Sequence, residues 1–211
     1  MNTNPSAKTI LCFGDSNTWG QQADKGRYPA DVRWTGLLQM ALGEAYYIIE
    51  EGLSSRTTDV DYERKPGRNG RTYLVPCLDS HRPLDMVILM LGTNDLKIEF
   101  NRSAVQIAQA IEGLVNIIRE KTPDTNLLLV SPILVDDTKP LFKELYPSYY
   151  NHESVIKSQQ LAIEIEKVAT ASNCLFVDAS TVASSGEDGI HFTKEAHAGL
   201  AQSLAKVVKE D

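Results

Sequence analysis

Two unbroken apolar runs, residues 10–13 and residues 86–91, constrain this chain more than any other feature. A short apolar run without alternation, bounded by a turn signal, reads as a strand buried on both faces. Residues 46–50, 127–130 and 175–177 read as further strands. Helical spacing fills the gaps between them. Trp34, Leu37, Leu38, Ala41 and Leu42 recur on one face, and Gly43 stops that helix. Residues 72–81 predict a second helix, ended before Pro83. Ser103 and Gln106 form a capping-box pattern ahead of Ala104, Ala108, Ile111, Val115 and Ile118. Leu161, Ile165 and Val168 place a helix within residues 153–171, and Ala196, Leu200, Leu204 and Val207 mark the last.

Strands that alternate with helices require a parallel sheet covered on both faces. Right-handed crossovers leave few arrangements. The expected fold is α/β: a three-layer, doubly wound, five-stranded parallel sheet of flavodoxin-like order 2-1-3-4-5. The 211 residues fit one domain over residues 8–211, with residues 1–7 as a frayed polar tail and residues 20–31 as a polar loop. No run approaches the length of a membrane span, and no signal peptide precedes the first strand. A net charge of −7 argues against a nucleic-acid partner. The basic cluster Arg56, Arg64, Lys65, Arg68 and Arg71 is interleaved with acids and reads as a solvated loop. The odd count of three cysteines, Cys12, Cys77 and Cys174, in apolar settings indicates reduced thiols and a cytoplasmic location.

Polar residues cluster just past the strand ends, where open α/β sheets bind ligands. Gly14-Asp15-Ser16-Asn17-Thr18 follows the first strand. Locally, Asp15 and Ser16 could simply cap a helix. Three later segments add weight: Gly52 in Glu50-Glu51-Gly52-Leu53-Ser54, Asn94 in Leu91-Gly92-Thr93-Asn94-Asp95, and Asp188 with His191 in Asp188-Gly189-Ile190-His191-Phe192. These four blocks, in this order, resemble the GDSL, or SGNH, hydrolases over nearly the whole chain. Asp31-Val32-Arg33-Trp34-Thr35-Gly36 and residues 51–58 look like the bacterial arylesterase/acyltransferase branch. Asn17 stands where the name motif has leucine, and Gln21 where that branch commonly carries an aromatic residue.

The resemblance implies a serine esterase without cofactor that acts on small esters. Ser16 would be the nucleophile, His191 its base and Asp188 the group that orients the base. The N–H groups of Ser16 and Gly52 and the Asn94 amide would hold the oxyanion. A metal site at Asp188 and His191 is the rival reading, but no second histidine sits at ligand spacing. Asp15 and Asp95 read as local caps, and His81, His152 and His197 as solvated or capping histidines. The alternatives are a carbohydrate O-deacetylase of the same family and a flavodoxin-like phosphate- or nucleotide-binding module. The latter lacks both Gly-x-Gly-x-x-Gly and a P-loop lysine. Residues 132–152, rich in tyrosine and proline, are expected to join a symmetric homo-oligomer and narrow the ester channel. Otherwise a short helix near residues 140–146 would pack on its own domain.

Overall fold

In the computed structural model, which describes residues 2–24 and 26–210, the run at residues 10–13 lies inside β1 (Lys8–Gly14). β1 has a parallel neighbour on each side, β2 (Tyr46–Gly52) and β3 (Met86–Met90). β4 (Asn126–Ser131) pairs with β3, and β5 (Leu175–Asp178) with β4. All pairs are parallel and the order is β2-β1-β3-β4-β5, as the alternation of strands and helices implies.

The one-turn α1 (Ser16–Trp19) follows β1 directly. α2 (Trp34–Leu42) and α7 (Lys194–Glu210) cover one face of the sheet. α3 (Gly70–His81), α4 (Ala104–Lys121) and α6 (His152–Ala171) cover the other. Leu11, Phe13, Val87, Leu89, Leu127 and Leu129 pack under α3, α4 and α6. Ile10, Cys12, Met86, Ile88, Leu128 and Val130 pack under α2 and α7. A strand with neighbours on both edges and helices on both faces has no wet side, so its sequence does not alternate. The capping box at α4 is complete: Ser103 Oγ accepts the Gln106 N–H, and Gln106 Oε1 accepts the Ser103 N–H.

Residues 132–152 fold onto their own sheet. They hold the short α5 (Phe142–Leu145) and bury Ile133, Val135, Phe142 and Tyr150. The expected tail is also tied down, because the Asn2 side chain donates to the carbonyls of Glu44 (2.9 Å) and Tyr46 (2.8 Å). Met1, Lys25 and Asp211, which fall in the expected tail, the polar loop and the end of the expected domain, lie outside the described residues. No helix among the described residues is long and apolar enough to cross a membrane.

Two side chains, one expected in a solvated loop and one read as a solvated or capping histidine, are buried. Arg56, 2% exposed, donates from Nη1 to the carbonyls of Gly14 (2.9 Å) and Glu51, and its guanidinium lies 4.1 Å over the Phe13 ring. It clamps the ends of β1 and β2 together and is no part of a solvated loop. His197 is wholly buried between α7 and α2. Its Nδ1 accepts the Trp34 N–H at 3.2 Å, and its ring packs edge-on against Tyr28 and Phe192. An amphipathic pattern assigns a face to such a residue, but not the presence of a second helix against that face.

Burial, with help from the Arg33 and His191 charges, pushes His197 down to about 4. An unfolded histidine takes its proton near pH 6.5. Between those values the unfolded chain binds the proton and the folded chain does not, so this contribution is intact above about pH 6.5 and falls away as pH drops toward 4. His197→Gln should remove that slope: in urea titrations, wild type should lose about 2–3 kcal/mol more than the variant between pH 7 and pH 4. Equal losses would show that His197 does not carry this acid sensitivity.

Candidate active site

The register sets the site. Gly14 lies opposite Gly52 on one side and Met90 on the other, so α1 and the turns after β2 and β3 rise from one edge. A Cβ on Gly14 would stand 2.8 Å from Thr18 Cβ and 2.9 Å from the Met90 carbonyl, so only glycine lets α1 fold back so soon. Asp15 caps α1 by accepting the Asn17 N–H at 3.0 Å.

Across the crevice, residues 188–192 turn at Gly189 with φ +73°. Asp188 Oδ1 accepts the N–H groups of Ile190 (3.0 Å) and His191 (2.9 Å). Its Oδ2 lies 2.6 Å from His191 Nδ1, and His191 Nε2 lies 2.9 Å from Ser16 Oγ. A proton on Nδ1, donated to Asp188, leaves Nε2 to accept the Ser16 hydroxyl, the tautomer this network favours. Burial works to raise the Asp188 carboxyl, but the hydrogen bonds and charge of His191 outweigh it and hold it below the usual range. The structure thus brings Ser16, His191 and Asp188 into one hydrogen-bonded chain, all three 5% exposed or less.

Several neighbours make contacts that the sequence did not reveal. Asn17 donates to the Ile190 carbonyl (3.1 Å) and accepts the Phe192 N–H (2.9 Å), gripping the backbone on both sides of His191. A leucine, as in the name motif, could make neither bond. Tyr146, just after α5, donates to Asp188 Oδ2 at 3.1 Å, the oxygen that also faces His191. Asp95 is no local cap. It accepts the Thr58 N–H (3.0 Å) and hydroxyl (2.5 Å) and pairs with Arg102 (3.1 Å), bracing the turn after β2 against the turn after β3. Burial pushes its carboxyl up to about 6, against those Thr58 and Arg102 contacts.

Asn94 lines the same cavity as Ser16 and His191, and its Nδ2 lies 3.4 Å from Asp15 Oδ2. Gly52 does not join them. The Gly14 carbonyl accepts the Leu53 N–H at 3.1 Å, so the Gly52 N–H points away from β1. Gly52 serves close packing instead: a Cβ there would fall 2.2 Å from the backbone N of Trp19 and 2.6 Å from the carbonyl carbon of Thr18. Ser55, three residues on, does line the cavity. It holds φ +69° at the third position of a turn closed by Arg56 N–H to Leu53 O (3.0 Å). A left-handed serine costs about 1–3 kcal/mol, a strain typical of functional turns.

The cavity measures about 360 Å³. Leu145, Tyr146, Tyr149 and Tyr150 wall one side of it. A larger open groove of about 880 Å³ runs along α2 and β2, but it contains none of these reactive groups. Among the described residues, the one set of acid, thiol and imidazole groups close enough to share a metal is Glu51, Cys77 and His81. Within it Glu51 already meets His81 (3.0 Å) and Tyr73 (3.2 Å), and burial pushes the Cys77 thiol up to about 12.

Several known proteins resemble this chain. The chain is 39% identical to an aryl esterase of M. Smegmatis, whose inhibitor-bound structure superposes with a TM-score of 0.88 over 97% of this chain and 99% of that one. A carbohydrate acetylesterase from Sinorhizobium meliloti gives 36% identity and a TM-score of 0.86 over 96% and 99%. An acetylxylan esterase of Xylanibacter ruminicola is 24% identical over 95% of this chain, which spans only 43% of that longer protein. The model of the GDSL-like lipase/acylhydrolase family matches residues 12–198, and the chain belongs to that family.

Proposed function

We propose that the protein is a serine esterase that cleaves small carboxylic esters through an acyl-enzyme. The observation that carries this reading is the Ser16–His191–Asp188 chain opening into a cavity of about 360 Å³. Ser16 Oγ attacks the ester carbonyl while His191 Nε2 takes its proton. Asp188 keeps the ring oriented and stabilises the charge it acquires. The oxyanion is held by the Ser16 N–H, the Asn94 amide and, in place of Gly52, the Ser55 N–H. His191 then gives the proton to the departing alcohol. Water enters by the same route and releases the acid, and an alcohol in the cavity would take the acyl group instead. The modest cavity suits short acyl chains. Acetyl esters of carbohydrates are the second reading, favoured by the likeness to carbohydrate acetylesterases.

A cytoplasmic location is part of the proposal, supported by the free thiols of Cys12, Cys77 and Cys174. The homo-oligomer keeps less support. Of the aliphatic and aromatic side chains in residues 132–152, Leu134 is exposed, Leu141, Leu145, Tyr146 and Tyr149 are half-buried, and Ile133, Val135, Phe142 and Tyr150 are buried, so the patch that called for a partner is covered in part by its own domain.

A fluorophosphonate should label wild type at Ser16, and Ser16→Ala should stay folded yet lose both labelling and hydrolysis of p-nitrophenyl acetate. Substantial turnover by folded Ser16→Ala would sink the reading. Asn94→Ala should lower kcat by about 10²–10³-fold with little change in KM, the signature of an oxyanion donor. An effect confined to KM would make Asn94 a substrate-binding residue. Tyr146→Phe keeps the ring and removes only the hydroxyl on Asp188. It should cut kcat by roughly tenfold, the worth of one hydrogen bond to a charged group. Steady-state kinetics showing unchanged kcat would leave Tyr146 as cavity wall only.

A further inference from the structure

The cavity beside Ser16 holds an unpaired cation. Lys97 follows Asn94 by three residues, is 5% exposed and lines the cavity. Its ammonium sits 4.2 Å over the Tyr62 ring and 6.0 Å from Tyr149, with no carboxylate in ion-pair contact among the described residues. The acids whose charges reach it are Glu99, Asp95 and Asp15, and each is engaged elsewhere. Glu99 pairs with Arg64 (3.6 Å), Asp95 with Arg102 (3.1 Å), and Asp15 caps α1. A second lysine stands at the same wall: Lys65 Nζ donates to Ser55 Oγ at 2.9 Å. Burial first, and then the Lys65 charge, pushes Lys97 down to about 8. Among the described residues no aspartate or glutamate lines this cavity, in a chain of net charge −7.

A buried charge is costly unless something pairs with it. Here nothing in the described protein does, and the charge faces the space where substrate would lie. We propose that Lys97, assisted by Lys65, recognises a carboxylate on the ester substrate, remote from the bond that is cleaved. This rests on the esterase reading and narrows it to esters that carry an acid group. The carboxylate can belong to the acyl half, as in a hemiester of a dicarboxylic acid, or to the alcohol half, as in an acetylated uronic acid. Tyr62 and Tyr149 flank the ammonium and would shield the ion pair from water, which strengthens it.

Matched ester pairs test the proposal. For the acyl half, p-nitrophenyl hemisuccinate is compared with its neutral methyl ester. For the alcohol half, an acetylated methyl glucuronate is compared with the acetylated methyl glucoside. In one of the pairs the anionic member should have the higher kcat/KM by about tenfold or more, the scale of a charged hydrogen bond. Lys97→Met should bring that ratio close to one, Lys97→Arg should keep most of it, and Lys65→Gln should reduce it in part. Added salt should also lower it. Neutral members favoured in both pairs, or a Lys97→Met effect equal on both members, would overturn the proposal; the latter would show Lys97 acting on the transition state. Calorimetry with monomethyl succinate and methyl glucuronate on Ser16→Ala gives a second readout, free of turnover. One of the two should bind Ser16→Ala at least about tenfold more tightly than the Ser16→Ala, Lys97→Met double variant. Equal affinities would refute the carboxylate site even if no ester is hydrolysed. Hydrolysis of neutral esters without the anionic preference would refute it while leaving the esterase reading intact.

Discussion

Everything at the crevice hangs on the pairing of β1 with β2 on one side and β3 on the other. Parallel hydrogen bonding aligns the three strand ends within one residue of each other. Residues separated by dozens of positions along the chain therefore meet at one edge: Ser16, Ser55 and Asn94 all face the same cavity. The apolar run inside β1 makes this alignment rigid. A register slip would turn Ile10 and Cys12 away from α2 and α7 and Leu11 and Phe13 away from α3 and α4.

The strand ends are then locked by polar groups taken out of water. Arg56 spans the carbonyls of Gly14 and Glu51, and Asp95 ties Thr58 to Arg102. Asn17 joins α1 to the backbone around His191. Buried polar groups cost free energy unless they are satisfied, and satisfied networks hold one geometry. These links surround the reactive groups, where positional error is most harmful to chemistry. Asp15 shows the cost that remains: burial raises its carboxyl despite the Asn17 N–H and the His191, Arg56 and Lys97 charges.

The segment after β4 adds the wall. Its apolar side chains fold inward, with Phe142 and Tyr150 in the core and Leu145, Tyr146 and Tyr149 along the cavity. One stretch thus satisfies its own burial and shapes the site. Tyr146 does both at once, with its ring on the cavity and its hydroxyl on Asp188.

The sequence alone determined the architecture. Runs such as residues 10–13 and 86–91, short and bounded by turn signals, read as strands buried on both faces, and helical spacing between them points to parallel order. It also singled out Ser16, Asn94, Asp188 and His191 through four blocks that resemble a known family, and the structure brings Ser16, Asn94 and His191 to one cavity with Asp188 against His191. Tertiary structure alone decided the rest. Gly52 and Ser55 lie three residues apart, and only the folded chain shows that Ser55, not Gly52, lines the cavity. Arg56 and His197 look like surface residues until the elements that cover them are in place. Asn17 and Tyr146 bond to groups many residues away, and Lys97 lines the cavity beside Ser16. Local pattern encodes a residue's own element and face. Which backbone or ring stands opposite is set by the packing of distant segments, and no spacing along the chain records it.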